Sequence, residues 1–349
     1  MSLPLVSVII LNFNGARWLP RCLASLGEQT TLKNLEIIVA DNASTDGSDE
    51  LAGKILKSAA MPGRVVPNGG NLGYCEGNNR GARAANGKYL LFLNTDTWLE
   101  RDCIEQLIEQ VERLNADCAS PMVLDYDDDS FQANGASGFD WFGYLTSPRG
   151  ALAAQTIFAA PGCALLVKKA IFDRLGGFDR EFFMYADEAD FAWRLTLAGA
   201  VSITVPRARA HHRGAVAANP KGGEKVVEVR TNEMVRFFAT RNSFLVLLKN
   251  AQHLLLLLCL TQCLWVTLEI LVVLLTTRQW GTVRRAYVRA FIELWKMRHH
   301  VRAERRRIRT FRQHGDFWML RFLRLRPGRW VDVEKLFRLG PPKVSSSKF

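Results

Sequence analysis

Two groups of side chains in this 349-residue chain are spaced so that they could do chemistry. The first centres on Asp96, in Asn94-Thr95-Asp96-Thr97, directly after the apolar run Tyr89 to Leu93. A carboxylate beside an amide and two hydroxyls can hold a hard divalent cation, which in turn grips phosphates. It can equally cap the helix expected from about Glu100. The second group is Asp187-Glu188-Ala189-Asp190, behind the aromatic residues Phe182, Phe183 and Tyr185. Acids in a first helical turn are favoured by the dipole alone, and Asp190 is spaced to pair with Arg194. Three carboxylates within four residues beside aromatic rings exceed what capping needs. Apolar surroundings there raise a carboxyl pKa towards the working range of a general base. His211 and His212 follow the expected strand Val201–Val205. A lone histidine is more often structural than a ligand, and only the company of Asp96 marks His211 out.

The elements that must position these groups alternate in pattern. Leu5–Leu11, Leu35–Ala40, Arg64–Pro67 and Tyr89–Leu93 read as strands, and Arg17–Leu26, Asp46–Lys57, Cys75–Ala85 and the stretch through Leu114 as helices. Such alternation means βαβ units and a largely parallel sheet. Three strands end in polar clusters, Asn12-Phe13-Asn14, Asp41 to Asp46, and Asn94 to Asp96. Any one is a loop or a cap, but three at strand carboxyl ends describe a nucleotide site. Between strands, glycines 69, 70, 73, 77 and 81 allow backbone N–H groups to approach an anion near a helix N-terminus. Their spacing fits neither the Walker nor the dinucleotide pattern, and a turn-rich connector is the alternative. From Ala116 to Ala160 the pattern loosens. Asp125 to Asp129 reads as an exposed acidic loop, and Phe139 to Tyr144 as acceptor-pocket lining or core with equal weight. A strand, Pro161–Lys168, and a helix through Ala198 follow.

The net charge of +12 is uneven. Residues 1–240 hold 24 Lys and Arg against 28 Asp and Glu, and residues 241–349 hold 22 against 6. The basic balance therefore belongs to the end of the chain, where it could meet nucleic acid or an anionic membrane. It adjoins an apolar run, Leu254 to Leu275, long enough to span a bilayer. From Arg278 to Arg329 there are 16 basic against three acidic residues, interleaved with Trp280, Trp295 and Trp318, and Trp330 follows. The positive-inside tendency puts that block in the cytoplasm. An in-plane or re-entrant apolar helix followed by a basic amphipathic one meets that demand without a crossing. A buried oligomer helix is the rival. Seven scattered cysteines without paired spacing indicate a reducing compartment. The N-terminal apolar run reads as a first strand and not a signal peptide, and Lys343–Phe349 as a frayed tail.

An ordered set of motifs resembles family 2 glycosyltransferases of the GT-A fold, in the subgroup that includes rhamnosyltransferases building lipid-linked bacterial glycans. It comprises Val-Ser-Val-Ile-Ile-Leu-Asn12-Phe-Asn14, Asp41-Asn-Ala-Ser-Thr-Asp46, Asn71-Leu-Gly73, Gly77-Asn-Asn79, Asn94-Thr-Asp96, Gly162, Gly177-Phe-Asp179, Phe183 to Asp190, and His211. The resemblance covers about Val6 to Ala215 and implies an α/β GT-A domain over 1–240, and the apolar and basic pattern beyond it gives a helical membrane-associating segment over 241–349. It implies a nucleotide-sugar donor bound by Asn12, Asn14, Asp41, Asn42, Asn71, Gly73, Asn79, Asn94 and Thr95. It also implies a divalent Mg2+ or Mn2+ on Asp96 and His211, and inversion at the anomeric carbon. The family's customary Glu-Asp is Asp187-Glu188 here. By position Glu188 is the candidate base and Asp187 its substitute, with Asp190 expected to anchor the helix. The implied activity is transfer of a sugar, L-rhamnose from dTDP-rhamnose foremost, to a polyprenyl-diphosphate-linked glycan at the cytoplasmic face of a bacterial inner membrane. A UDP-sugar donor is the alternative within the family, and a basic nucleic-acid-binding protein the alternative outside it. The expected partners are the donor, the lipid-linked acceptor and an anionic membrane surface, with no nucleic acid and with room for a homo-oligomer.

Overall fold

The alternating runs of the first third fold as strand–helix units. In the computed structural model β1 (Val6–Asn12), α1 (Leu19–Gly27), β2 (Leu35–Asp41), α2 (Ser48–Ser58), β3 (Gly63–Pro67), α3 (Gly73–Ala84) and β4 (Tyr89–Asn94) follow in order. The structure describes residues 4–146, 154–214 and 233–325; the expected frayed tail Lys343–Phe349 and Trp330 lie outside the described residues. β1 pairs in parallel with β2 and with β4, and β2 with β3. Asn12 stands opposite Asp41, and Leu11 opposite Asn94, so the three polar strand ends finish level on one edge. Tyr89 to Leu93 is buried throughout, as a central strand covered on both faces must be.

After β4 the sheet becomes mixed. A short strand β5 (Thr97–Leu99) precedes α4 (Cys103–Arg113). Asp96 therefore lies in a turn between two strands, and not at the start of the helix expected from Glu100. The stretch read as loose contains β6 (Cys118–Asp125) and β7 (Phe131–Ala133). Next come the β8 (Gly138–Phe139) and β9 (Leu145–Thr146) ribbon, β10 (Gln155–Ile157), β11 (Ala164–Lys168), α5 (Lys169–Arg174), α6 (Asp187–Leu197) and β12 (Ser202–His212). The strand path is β10-β12-β6-β11-β4-β1-β2-β3, with β5 on β12 and β7 on β6. β11 runs antiparallel to β4 and β6, while β12 runs parallel to β6 with a bulge between Val205 and Arg209. The core of this sheet packs Val8, Ile10, Ile37, Val39 and Leu91 against Leu19, Leu23, Leu56, Ile104 and Leu107 of the helices.

The chain forms two compact units. One contains residues to 136 with 147–214; the other contains 137–146 with the residues from 215 onwards. In the second unit α7 (Glu233–Asn250) runs through residue 240. It is followed by α8 (Leu258–Thr277), α9 (Trp280–Val283), a π-turn over Arg284–Val288, α10 (Arg289–Lys296), α11 (Arg298–Phe311) and α12 (Asp316–Met319). The aromatic segment Phe139 to Tyr144 is packing within this unit. Phe139 is fully buried and the Phe142 ring lies 5.1 Å from Trp265, although Trp141 is exposed.

Helix α3 approaches the sheet through its glycines. A Cβ on Gly77 would lie 2.4 Å from Leu11 Cδ1 and 2.9 Å from Asn42 Oδ1, and one on Gly81 2.5 Å from Ile9 Cγ2. Gly53 in α2 has nothing nearer than Val65 at 4.0 Å. Gly77→Ala is therefore predicted to lower stability by about 1–3 kcal/mol through overpacking. Gly53→Ala should be neutral or gain up to about 1 kcal/mol. Urea midpoints at unchanged m-value check both.

Candidate active site

The ends of β1 and β2 are tied by one buried amide. Asn12 Nδ2 donates to Asp41 Oδ1 at 2.7 Å, and Ser48 Oγ and Ser44 Oγ lie at 2.8 and 3.1 Å. Asp41 also accepts from the Ser44 backbone and hydroxyl, at 3.0 and 2.7 Å. Asn42 donates to the Gly73 carbonyl and accepts from Asn68 at 2.8 Å. Asn14, held in left-handed backbone at φ 53°, accepts from Thr45 N at 2.8 Å. These residues fix the floor of the strand-end edge through bonds to one another. Asn71 stays exposed, its Oδ1 accepting from Gly73 N at 3.0 Å.

At the end of β4, Asp96 is buried and an imidazole reaches it, but not the expected one. His212 Nε2 lies 3.5 Å from Asp96 Oδ2. His211 is turned the other way: its ring stacks on Trp98 at 3.6 Å, and its nitrogens face Glu100 at 3.3 Å and Asp129 at 3.0 Å. Successive side chains of a strand point to opposite faces, so only one of two adjacent histidines can meet Asp96. Burial alone would lower the His212 pKa. The Cys163 sulfur, then Asp96 and Asp125, outweigh it and raise the value to about 9. Burial, with the Asp96 charge behind it, pushes the Cys22 thiol well up. Asn94 and Thr95 are partly exposed, and Asn94 N donates to the Cys163 carbonyl at 3.0 Å.

A carboxylate and an imidazole 3.5 Å apart are spaced as two ligands of one divalent ion would be. Among the described residues no group of three or more His, Cys, Asp or Glu side chains is arranged to hold a metal. With its pKa raised to about 9, His212 stands here as a protonated partner of Asp96, and it would join a metal ion only by giving up that proton.

The acidic helix is launched from a strained turn. Phe183, Tyr185 and Ala186 all have positive φ, at 62°, 67° and 58°. Such backbone persists only where its surroundings over-determine it. Here the Phe183 carbonyl accepts from Tyr74 N at 2.6 Å and Cys75 N at 3.3 Å. A Cβ on Gly73, itself at φ 74°, would lie 2.5 Å from that carbonyl. The first amides of α3 are thus spent on Phe183 and on Asn71, which corrects the expectation that this glycine-rich loop offers them to an anion. Asn79 is likewise committed to the fold, its amide donating to and accepting from the Phe178 backbone at 2.8 and 2.9 Å. Asp190 is buried against Arg194, whose Nε and Nη2 reach its Oδ2 at 2.9 and 2.8 Å, and so it serves as an anchor.

That leaves Asp187, buried, and Glu188, partly exposed. Burial and then the Glu188 charge hold the Asp187 carboxyl well above its ordinary range, and burial raises Glu188. Tyr74 stands beside both, its phenol pushed up by burial and then by these two carboxylates. Its hydroxyl donates to the Gly162 carbonyl at 2.7 Å. A Cβ on Gly162 would touch Glu188 Cβ and the Tyr74 hydroxyl, each at 3.8 Å. The two residues Gly162-Cys163 thus have the acid pair on one side and Asn94 and His212 on the other. Tyr74, Cys163 and His212 were not singled out from sequence. Tyr74 directly follows the Asn71-Leu-Gly73 motif, and the tandem histidines were the remaining signal.

A mostly parallel mixed sheet with helices on both faces and polar groups at its strand ends is an architecture of GT-A type. The comparisons agree. Residues 7–176 match the model "Glycosyl transferase family 2". That domain belongs to the family, and the chain is a glycosyltransferase. It is 26% identical over 236 residues to the N-acetylglucosaminyl-diphospho-decaprenol L-rhamnosyltransferase of Mycobacterium tuberculosis, covering 59% of this chain and 75% of that one. It is 29% identical over 124 residues to glycosyltransferase GlyG of Streptococcus pneumoniae, covering 36% and 40%. Among solved structures it resembles GalNAc-T7 with UDP, GalNAc and Mn2+ at a TM-score of 0.56 and 17% identity, over 70% of this chain and about half (48%) of that one. It also resembles S. aureus TarS (0.54, 13%, covering 88% and 89%) and the Pyrobaculum calidifontis mannosyltransferase with GDP-Man and Mn2+ (0.53, 18%, covering 89% and 85%).

The raised pair carries a stability cost with a definite sign. A carboxyl whose folded pKa lies above its unfolded value stabilises the fold below the unfolded pKa, and that stabilisation is lost as pH rises through the folded pKa. Asp187→Asn is predicted to melt higher than the parent at pH 8, with the gap closing towards pH 4. Melting temperatures across that range check it, and a gap that widens on acidification would contradict the assignment.

Proposed function

We propose that the chain is an inverting, metal-dependent transferase that moves a sugar from a nucleotide diphosphate to a hydroxyl of a lipid-linked glycan. The observation that carries this reading is that consecutive residues touch both groups, Gly162 beside Glu188 and Cys163 beside the His212 that reaches Asp96. The donor lies along the strand-end edge that Asn12, Asp41 and Asn42 shape, with Asn14, Asn71, Gly73, Asn94 and Thr95 at its rim. Asp96 and His212 would hold Mg2+ or Mn2+, and a bound ion supplies charge neutralisation to the departing diphosphate. His212 takes the role expected of His211. Glu188, its carboxyl raised above the ordinary range by burial, is the candidate base. It takes the proton of the acceptor hydroxyl as that oxygen bonds to the anomeric carbon. The bond from that carbon to the diphosphate oxygen breaks on the opposite face, and the electron pair leaves with the diphosphate. One such displacement inverts the centre and needs no nucleophilic side chain.

The name of the M. tuberculosis relative favours L-rhamnose and a polyprenyl-diphosphate-linked acceptor for this chain as well, and dTDP-rhamnose is the donor that the sequence resemblance implies. A lipid-linked acceptor places the work at a membrane surface, and the basic C-terminal stretch suits the cytoplasmic leaflet of a bacterial envelope. A UDP-sugar donor is the second reading, favoured by the UDP-bound TarS likeness in fold alone.

Transfer measured with dTDP-, UDP- and GDP-sugars onto a polyprenyl-diphosphate-linked acceptor tests the reading. Glu188→Gln should lose at least about 100-fold in turnover while donor affinity is kept. Turnover like the parent's would remove Glu188 from the role. His212→Ala should raise the metal concentration needed for half activity roughly tenfold or more, the cost of a lost ligand or its support. His211→Ala should leave that requirement unchanged, and the reverse pattern would restore His211 as the ligand.

A further inference from the structure

Helix α8 has its polarity reversed relative to a soluble surface helix. Leu257, Leu260, Leu264, Leu268, Leu271 and Leu275 recur at spacings of three and four and form one exposed stripe, with Leu260 68% and Leu275 80% exposed. The opposite side carries the only amide and the only charge of the helix. Gln262 is fully buried there, and Glu269 pairs with Arg236 of α7, whose guanidinium also donates to the Tyr287 hydroxyl at 2.9 Å. A helix facing water puts such groups outward and its leucines inward. An uncharged apolar stripe of this length facing away from the protein marks a surface made for an apolar medium.

Among the described residues, one helix, Leu255–Leu275, is long and apolar enough to cross a membrane. Its packing argues against crossing. Val266 and Val273 of α8 share one cluster with Phe244 of α7 and with Val283, Ala286 and Tyr287. Those neighbours bring the exposed cations Arg284, Arg285, Arg289 and Lys296 on the helices after α8, whereas Lys249 and Arg236 of α7 are held inside by Glu304 and Glu269. A transmembrane α8 would carry its packed neighbours and their cations into hydrocarbon, where charged side chains are costly. Lying flat, α8 buries the leucine stripe and leaves the cations at headgroup depth, where anionic lipids favour them. We propose that α8 is an in-plane anchor, half sunk in one leaflet of an anionic bilayer and crossing nothing. This rests on the proposed action at a membrane surface and specifies its geometry.

The test uses the full chain with Cys259 and Cys263 replaced by Ser and single fluorophore-labelled cysteines at 257, 264, 271 and 275, bound to phosphatidylglycerol–phosphatidylethanolamine vesicles. Quenching by lipids brominated at different acyl positions should report one shallow depth at all four sites. A deep maximum at 264 and 271, with 257 and 275 shallow, would establish a span and overturn the proposal while leaving membrane action intact. Failure to co-sediment with the vesicles would overturn the proposal together with the membrane reading. Quenching-independent burial of the labels in a lipid-free dimer would assign the stripe to a second copy instead. In the otherwise native chain, the double variant Leu264→Glu with Leu268→Glu should lower vesicle association at least tenfold. Its transfer to a short-chain soluble acceptor should match the parent's, and unchanged association would exclude the stripe.

Discussion

The Phe183 carbonyl accepts the Tyr74 and Cys75 amides in the first turn of α3, and the order of the acid site depends on that contact. A helix N-terminus left with free N–H groups invites water or an anion. Here those groups are instead used to hold a backbone that would otherwise relax out of its left-handed conformation at Phe183, Tyr185 and Ala186. The turn can come this close only because Gly73 has no side chain to meet it. α3 in turn lies tight on β1 through Gly77 and Gly81, so the position of the acids is referred back, contact by contact, to the central strands. Arg194 secures the other end of the arrangement. It is buried with Asp190 and donates to the Leu175 and Gly177 carbonyls at 3.1 and 2.7 Å, fixing α6 to the loop before it. Strain at the start of α6 is thus carried by hydrogen bonds at both ends.

Much of this was legible in the chain. Five apolar residues ending at Asn94 read as a buried central strand, and the level polar ends of β1, β2 and β4 follow from parallel pairing in register. β6 was not legible, because Ser120 and Pro121 interrupt its apolar pattern, and its place is set by β11 and β12 on either side. The choice between His211 and His212 could not be made from spacing. Strand parity decides it, and β12 carries a bulge between Val205 and Arg209 that resets the parity before the histidines arrive. The glycine-rich stretch was legible as a place of close approach, but not as to what approaches. In α3 it is the sheet and the Phe183 turn, and no sequence pattern separates that from an anion. Asn79 misled for the same reason, since an amide at a motif position serves a ligand in one protein and a neighbouring backbone in another, and here Phe178 takes both its ends.

The electrostatics of the site and of α8 share one rule with opposite outcomes. A charge removed from water must find a partner or neutralise. Asp190 finds Arg194, and Glu269 finds Arg236, and both become parts of the scaffold. Burial raises both Asp187 and Glu188, and the Glu188 charge adds to it at Asp187, so they hold protons more tightly than free carboxyls do although nearby backbone amides favour their charged forms. A pair kept at that disadvantage weakens the fold at neutral pH, an arrangement common where stability is given up for activity. On α6 the partnered Asp190 follows Asp187 by three residues and Glu188 by two. That separation explains why the sequence offered three candidates. Periodicity placed all of them near the site, and only the position of one guanidinium divides the anchor from the groups able to move a proton.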